Sequence, residues 1–400
     1  MQLVILIVLV LATQQARYDD VVRNLRNPDP DARMEALKLL RESRYEEAIL
    51  PIAPLVNDPL DPIQLEAINT ELSFFLVQDI KERKRVAFII ETRSGAGRAE
   101  TAFTAGPLAV WPRPAPPELI TALLKAVDDE HPKVRLEAIY VLGSIAKSPL
   151  PDDAARQLIK ALDHYDPAIR AAAARVVGRL KLASAGKELI KAVNDSQQPV
   201  RFAAMRALGD IREATAVGSL TQQVEHYGRG EGAWSALDAL AKTAHPSSVP
   251  LFKSRLADRD QYIRRAAAEG LGRTGDTSEL AALEGAVVKD SSGMARAAMA
   301  FALVKLGQDY TGHLMNMLDD DKTVGQVAEY LIELGPAVVP ELVKRLQHAD
   351  KAVRGNAALI LGVVGTQEHM PALAPLLTDR DQDVRTAAER AIERIKLRGA

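Results

Sequence analysis

A short pattern returns along this chain at a nearly constant interval, and that periodicity narrows the possible folds more than any single residue does. Four segments display it: DDEHPKVRLEAIYVLGSI (128–145), NDSQQPVRFAAMRALGDI (194–211), ADRDQYIRRAAAEGLGRT (257–274) and TDRDQDVRTAAERAIERI (378–395). Each runs from an Asp through an aliphatic-Arg pair into alanines and then, in most cases, Leu-Gly or its equivalent. The arginines stand at Arg135, Arg170, Arg201, Arg264, Arg296, Arg354 and Arg385, with gaps of 35, 31, 63, 32, 58 and 31 residues. The two longest gaps each hold one degenerate unit, so the period is about 31, the signature of stacked supersecondary units. An Asp precedes the Arg by six residues at Asp129, Asp195, Asp258, Asp290 and Asp379, and a glycine follows it by eight at Gly143, Gly178, Gly209, Gly272 and Gly362.

Each unit reads as two helices. The first carries apolar residues at helical spacing, as in ELIKAVND (188–195) and ELVKRLQH (341–348). The Asp-rich turn supplies a carboxylate that accepts from free backbone N–H groups and caps the second helix. In that second helix Val134, Ala138, Ile139 and Leu142 form one buried stripe, and the Leu-Gly end is expected to close it with a left-handed glycine cap. One hairpin cannot hide both apolar faces, whereas a stack can, so the array is expected to form a solenoid. Composition agrees: 47% of residues are hydrophobic but only 4% aromatic, which favours close helix packing over a β-sandwich. With no cysteine there are no disulfides, thiolate metal sites or cysteine nucleophiles.

The repeated D-x5-[VI]-R-x7-G pattern resembles the HEAT-repeat superfamily, specifically the short HEAT-like units first associated with phycobilin lyases. The resemblance is close over residues 118–400 and looser over 18–78. It implies an all-α, right-handed superhelix of about eleven helical hairpins. Such arrays serve many functions, so the resemblance speaks for the fold and not for an activity.

Four regions follow. Residues 1–16 (MQLVILIVLVLATQQA) hold a ten-residue apolar run, Leu3–Ala12, too short for the roughly 20 residues of a membrane span and suited to a secretory signal. No Lys or Arg precedes that run, and Gln14 sits where a small residue is preferred. The expectation is export to the periplasm or beyond with cleavage after Ala16; a cytoplasmic chain with a buried N-terminal helix is the alternative. Residues 17–78 contain two further units, with Arg33 in the Arg place of the first and Gln64 in that of the second. Residues 79–117 carry no repeat signature and form an irregular insertion. It has a basic cluster KERKR (81–85), a strand-like VAFII (86–90), a turn at SGAG (94–97), RAETAFTAG (98–106) as a short helix or a return strand, and an extended WPRPAPP (111–117). Its apolar residues suit either a docking element or a cover over the seam between neighbouring units. Residues 118–400 are the main array.

The Arg and Asp series reads as a structural ladder, each Arg pairing with the Asp of its own or an adjacent turn. The turn HYGRGEGAW (226–234) replaces the usual Asp-rich turn, and without a following Lys-Ser/Thr or a preceding strand it is not a nucleotide loop. In solenoids of this kind the second helices line the concave face. With each Arg as zero (and Ala233 as zero in the degenerate sixth unit), offsets +3, +4 and +7 point into the stack, while +1 and +5 are expected to face the groove. These offsets gather Tyr140, Arg175, Phe202, Arg206 and Trp234 on neighbouring helices. Aromatic residues and arginines anchor interfaces, so they mark a candidate protein or peptide site whose arginines meet carboxylates.

Other classes recede. Net charge is −2 and the groove row is mixed in sign, unlike a nucleic-acid groove. None of the seven histidines is followed by Glu, so the His-Glu pairs of HEAT-like di-iron hydroxylases are missing, and neither an HExxH nor a G-x-S-x-G motif occurs. Catalytic residues, metal ligands and cofactors are not expected. The reading is a non-catalytic scaffold or adaptor for a protein or peptide partner. A lyase-type enzyme or accessory acting on a tetrapyrrole or another small molecule is the alternative.

Overall fold

The computed structural model describes residues 18–77 and 97–399. The apolar start at 1–16, the basic cluster at 81–85 and the strand-like 86–90 lie outside the described residues. The described chain is helical, and its one antiparallel bridge joins Leu76 to Val110. It divides into two compact units, the first ending at Leu180 and the second starting at Lys181.

Each unit is a stack of helical hairpins, an α-solenoid. We number the second helix of each hairpin together with the single helix of the insertion. The first unit holds α1 (Pro30–Ser43), α2 (Asp61–Phe75), the insertion helix α3 (Arg98–Ala105), α4 (Pro132–Ile145) and α5 (Pro167–Arg179). The second holds α6 (Gln198–Asp210), α7 (Gly230–Thr243), α8 (Gln261–Thr274), α9 (Gly293–Lys305), α10 (Val324–Leu334), α11 (Lys351–Val364) and α12 (Gln382–Gly399). Leaving α3 aside, that makes four hairpins in the first unit and seven in the second, eleven in all. Among the described residues no helix is long and apolar enough to cross a membrane.

The turn chemistry repeats with the sequence. Asp129, Asp195, Asp258, Asp290 and Asp379 each accept, through Oδ1, the backbone N–H two residues on, at 2.8–2.9 Å. His164 and His348 fill the same place, accepting through Nδ1 at 3.0 and 3.1 Å, which accounts for two of the histidines without a metal. A second side chain then caps several of the helices: Asp166 on α5, Asp260 on α8 and Asp350 on α11.

The arginine ladder exists, but its rungs differ from a simple Arg–Asp pairing. Toward its own turn each Arg donates to backbone carbonyls. Arg135 reaches the carbonyls of Asp129 and Glu130 at 2.6 and 3.1 Å, and Arg354 those of His348 and Ala349 at 2.8 and 2.9 Å. The Asp carboxylate of such a turn is shared by a turn amide and a side chain of the preceding hairpin, as at Asp290 and Asp379, which leaves the turn carbonyls for the Arg of its own hairpin. Toward the next hairpin the other edge of the guanidinium takes the carboxylate: Arg33 with Asp58, Arg264 with Asp290, and Arg354 with Asp379. The planar five-donor fork does both jobs at once, as a lysine cannot. Gln64 keeps the forward rung, donating to Asp129 at 2.8 Å. At the glycine-rich turn Tyr227 stands in for the Asp, its hydroxyl accepting from Arg201 at 2.8 Å. The left-handed Gly228 and Gly230 let the chain round this ring, and a Cβ on Gly232 would lie 2.3 Å from it.

The glycines eight residues past the arginine correct a second expectation. They lie inside the helices with ordinary backbone angles; the residues in left-handed conformation are others. Their role is close approach. A Cβ on Gly209 would come within 2.7 Å of the Ala239 Cα, one on Gly272 within 2.6 Å of the Ala302 Cα, and one on Gly362 within 2.7 Å of the Ala391 Cα. Neighbouring second helices therefore touch backbone to backbone, the reason for Gly and Ala at these places.

The stripe at offset +7 is fully buried Leu or Val in both units, as at Leu40, Leu142, Val177, Leu208, Leu240, Leu271 and Leu361. Burying each such side chain contributes about 1.5–3 kcal/mol. One hairpin breaks it. In α2 the +7 position is Glu71, with no exposed surface and no hydrogen-bond partner for either carboxyl oxygen. Burial pushes its carboxyl well above the usual range.

Candidate helix-docking row

The five residues singled out by the offsets fall in both units, and each group is described by itself. In the first unit, Tyr140 on α4 and Arg175 on α5 meet as expected from their shared offset: the Arg175 guanidinium donates to the Tyr140 hydroxyl at 2.9 Å. They do not face open solvent, because the insertion helix α3 lies on them. Arg175 also donates to the Glu100 carboxylate at 2.7 Å and to the Thr104 hydroxyl at 2.8 Å, and Tyr140 donates to Glu100 at 3.3 Å. The Phe103 ring sits 5.4 Å from the Tyr140 ring. Arg175 lies 5.2 Å from the centre of each, and Arg179 lies 3.8 Å over Phe103 while donating to its carbonyl at 2.7 Å. Tyr140 is buried, and that burial drives its hydroxyl pKa upward.

The start of α3 is held by α4. Glu137, itself buried, accepts the Ala99 N–H at 3.1 Å, and burial raises its carboxyl. Gly97 leaves room for this contact, since a Cβ there would overlap the Glu137 carboxylate as it is placed. Phe103 rests against Gly143, where a Cβ would come within 2.7 Å of the ring. The glycine that opens the helix–helix contact also opens a seat for this ring. A cleft of about 170 Å³ remains at the far end of α3, between Gly106, Pro107 and Val110 of the insertion and Gly143, Ser144 and Arg179 of the array. The insertion therefore supplies a helix at 98–105, the first of the two forms expected for that stretch, and Leu76–Val110 is the only paired strand-like contact among the described residues.

In the second unit the row differs. Phe202 on α6 is buried, its ring edge-on to Tyr227 at 5.6 Å, so it supports the glycine-rich turn instead of facing the groove. Arg206 is the accessible member, its side chain 47% exposed and paired with Glu231 at 2.7 Å. Trp234 on α7 is half-buried; its indole N–H donates to Asp260 at 2.8 Å and its ring lies 4.3 Å from Tyr262. Farther along, the row closes on itself. Asp238 pairs with Arg265. Glu269 takes Arg273 at 2.8 Å and the Tyr330 hydroxyl at 2.5 Å, and Arg273 extends to Glu333. Burial alone would raise the Glu269 carboxyl, but Arg265, Arg273 and Tyr330 overcome it and hold it below the ordinary range. Sequence reasoning had no access to this network, because its members come from three hairpins and pair only after stacking.

The model of HEAT repeats matches residues 155–228, 219–304 and 313–396, and a single HEAT-repeat model matches 119–148, together more than half of the chain. The chain belongs to the HEAT-repeat family. Among solved structures it is similar to an engineered protein (20% identity, TM-score 0.42, covering 95% of this chain and 98% of that one). It is also similar to the CpcE–CpcF complex of phycocyanin lyase from Nostoc sp. PCC7120 (19%, 0.43, 62% and 96%) and to Kap121p (13%, 0.36, 94% and 45%). No curated protein matches it in sequence.

Proposed function

We propose that this protein is a non-catalytic scaffold that holds a protein or peptide partner along the row of second-helix side chains at offsets +1 and +5. The observation that carries the reading is α3: on the first unit that row already receives a helical segment, through arginines at +5 and +9 and the aromatic ring at +5. In the second unit Arg206 holds the same +5 offset and Trp234 the +1 offset, and Arg206 is the most accessible cation of the row. Arginine and tryptophan are among the residue types most enriched at interface anchors.

The cleft beside α3 does not by itself favour the small-molecule alternative. The cleft beside α3 is about 170 Å³, below the roughly 300 Å³ at which pockets for drug-sized ligands begin. A photo-crosslinking residue at position 231, beside Arg206, tests the proposal. The expected product is a polypeptide adduct that disappears when Arg206→Glu is added, with the helical circular-dichroism signal unchanged. Adducts indifferent to Arg206→Glu, or a co-purifying absorbing ligand with no polypeptide adduct, would retire it.

A further inference from the structure

We propose that α3 is an internal ligand: it occupies in cis the seat that a partner's helix takes on the first unit, and that partner helix carries a carboxylate followed three residues later by an aromatic ring, as α3 does at Glu100 and Phe103. This rests on the scaffold reading above and names the partner's chemistry for that row.

Three observations lead there. First, α3 is no part of the stack. Among the described residues it has no antiparallel mate; it lies in sequence between the second and third hairpins, and the chain on either side of the insertion is joined where Val77 donates to Ala109 and Trp111 donates to Phe75. Second, what holds it is recognition chemistry. The buried Leu and Val at offset +7 are contributed by other helices. Beside the buried Ala99, Ala102 and Phe103 of α3 itself, the seat presents the polar and aromatic groups Arg175, Arg179, Tyr140 and Glu137, with the Gly143 gap for one ring. Removing α3 leaves the hairpin stripe in place and uncovers two guanidinium groups beside a tyrosine. Third, α3 has eight residues, fewer than the 12–15 at which an isolated helix becomes even marginally stable, so its helicity depends on the seat. A cleft remains at its C-terminal end, walled on one side by Gly106, Pro107 and Val110 of the insertion and on the other by Gly143, Ser144 and Arg179.

A tethered helix competes at an effective concentration in the millimolar range, so a partner gains access only if its own helix is a better match or a longer one. The sequence requirements follow from the contacts: a Glu or Asp facing Arg175, a Phe or Tyr three residues on beneath Arg179, and a small residue where Gly97 lies against Glu137.

Two measurements on the full chain decide it. Native-state hydrogen exchange read by mass spectrometry should show the amides of residues 98–105 exchanging at least 100-fold faster than those of residues 132–145. Protection equal to that of α4 would overturn the proposal, because α3 would then be a fixed part of the core. In the second measurement a fluorescein-labelled peptide of residues 97–106 is titrated into the wild type and into the double variant Glu100→Ala, Phe103→Ala. The variant should bind the peptide at least tenfold more tightly, and adding Arg175→Ala should remove that gain. A folded variant that binds no better than wild type overturns the proposal. So does a variant that loses its helical signal, since α3 would then be needed for folding. Failure here with an Arg206-dependent adduct in the second unit leaves the scaffold function standing, and the reverse pair of results separates the two claims the other way.

Discussion

Replacing Glu71 by Leu should stabilise the first unit, although it removes a charged residue type from a natural sequence. Glu71 occupies the place held by Leu40 and Leu142 in the hairpins on either side, is fully buried, and leaves both carboxyl oxygens without a partner. Leaving such a group unsatisfied costs about 1–3 kcal/mol by mutational precedent. A second contribution depends on pH. The folded-state pKa is raised, so the folded form keeps its proton while the unfolded form releases it above about pH 4.5. Stability is then highest below that pH and falls by about 1.4 kcal/mol for each further pH unit over which the folded carboxyl stays protonated. Glu71→Leu should remove both effects, and Glu71→Gln only the second. The two tryptophans make the assay local: with Trp234→Phe, Trp111 alone reports the first unit during urea unfolding. The gain from either substitution should grow between pH 4 and pH 7. A wild type whose stability is flat over that range, or a Leu variant less stable than wild type at pH 7, would refute the reasoning and point to a partner for the carboxyl.

Other consequences are equally direct. Arg354→Lys should cost about 1–2 kcal/mol in the second unit, because an ammonium cannot hold two carbonyls and both Asp379 oxygens together; urea unfolding followed by Trp234 fluorescence measures it. Gly272→Ala should cost about 1–3 kcal/mol by pressing a methyl onto the Ala302 backbone, whereas Gly285→Ala, on an exposed helical surface with nothing within 4 Å, should be neutral or stabilising. N-terminal sequencing of the chain isolated from its source should find Arg17 first, and a start at Met1 would count against export.

The hairpins were legible because each turn repeats the same chemistry: an Asp for the free amides, an Arg six residues later, alanines where helices approach. Even the substitutions stayed readable, Gln64 for Arg being the clearest. The finer assignments needed the stack. Gly272 looks like a terminator in the sequence because nothing there shows that Ala302, thirty residues on, lies against it. Arg135 looks like a partner for Asp129, but that carboxylate is shared by a turn amide and Gln64 of the preceding hairpin, and its carbonyl is what is left. The candidate row was legible as a set of offsets but not as a surface. Tyr140 and Arg175 are covered by α3, whose eight residues have no period to reveal where they dock, and Phe202 turns inward onto Tyr227. One signal was available and unused: Glu71 is the lone acid in a column of Leu and Val.

The central claim is that the second-helix row is a seat for helical polypeptide. Hydroxyl-radical footprinting of the chain with and without its crosslink-identified partner tests it most directly. The account predicts that oxidation of Trp234 and Tyr262 falls at least threefold on binding, while Tyr310, off this row, is unchanged. Unaltered oxidation of Trp234, with protection appearing elsewhere, would contradict it.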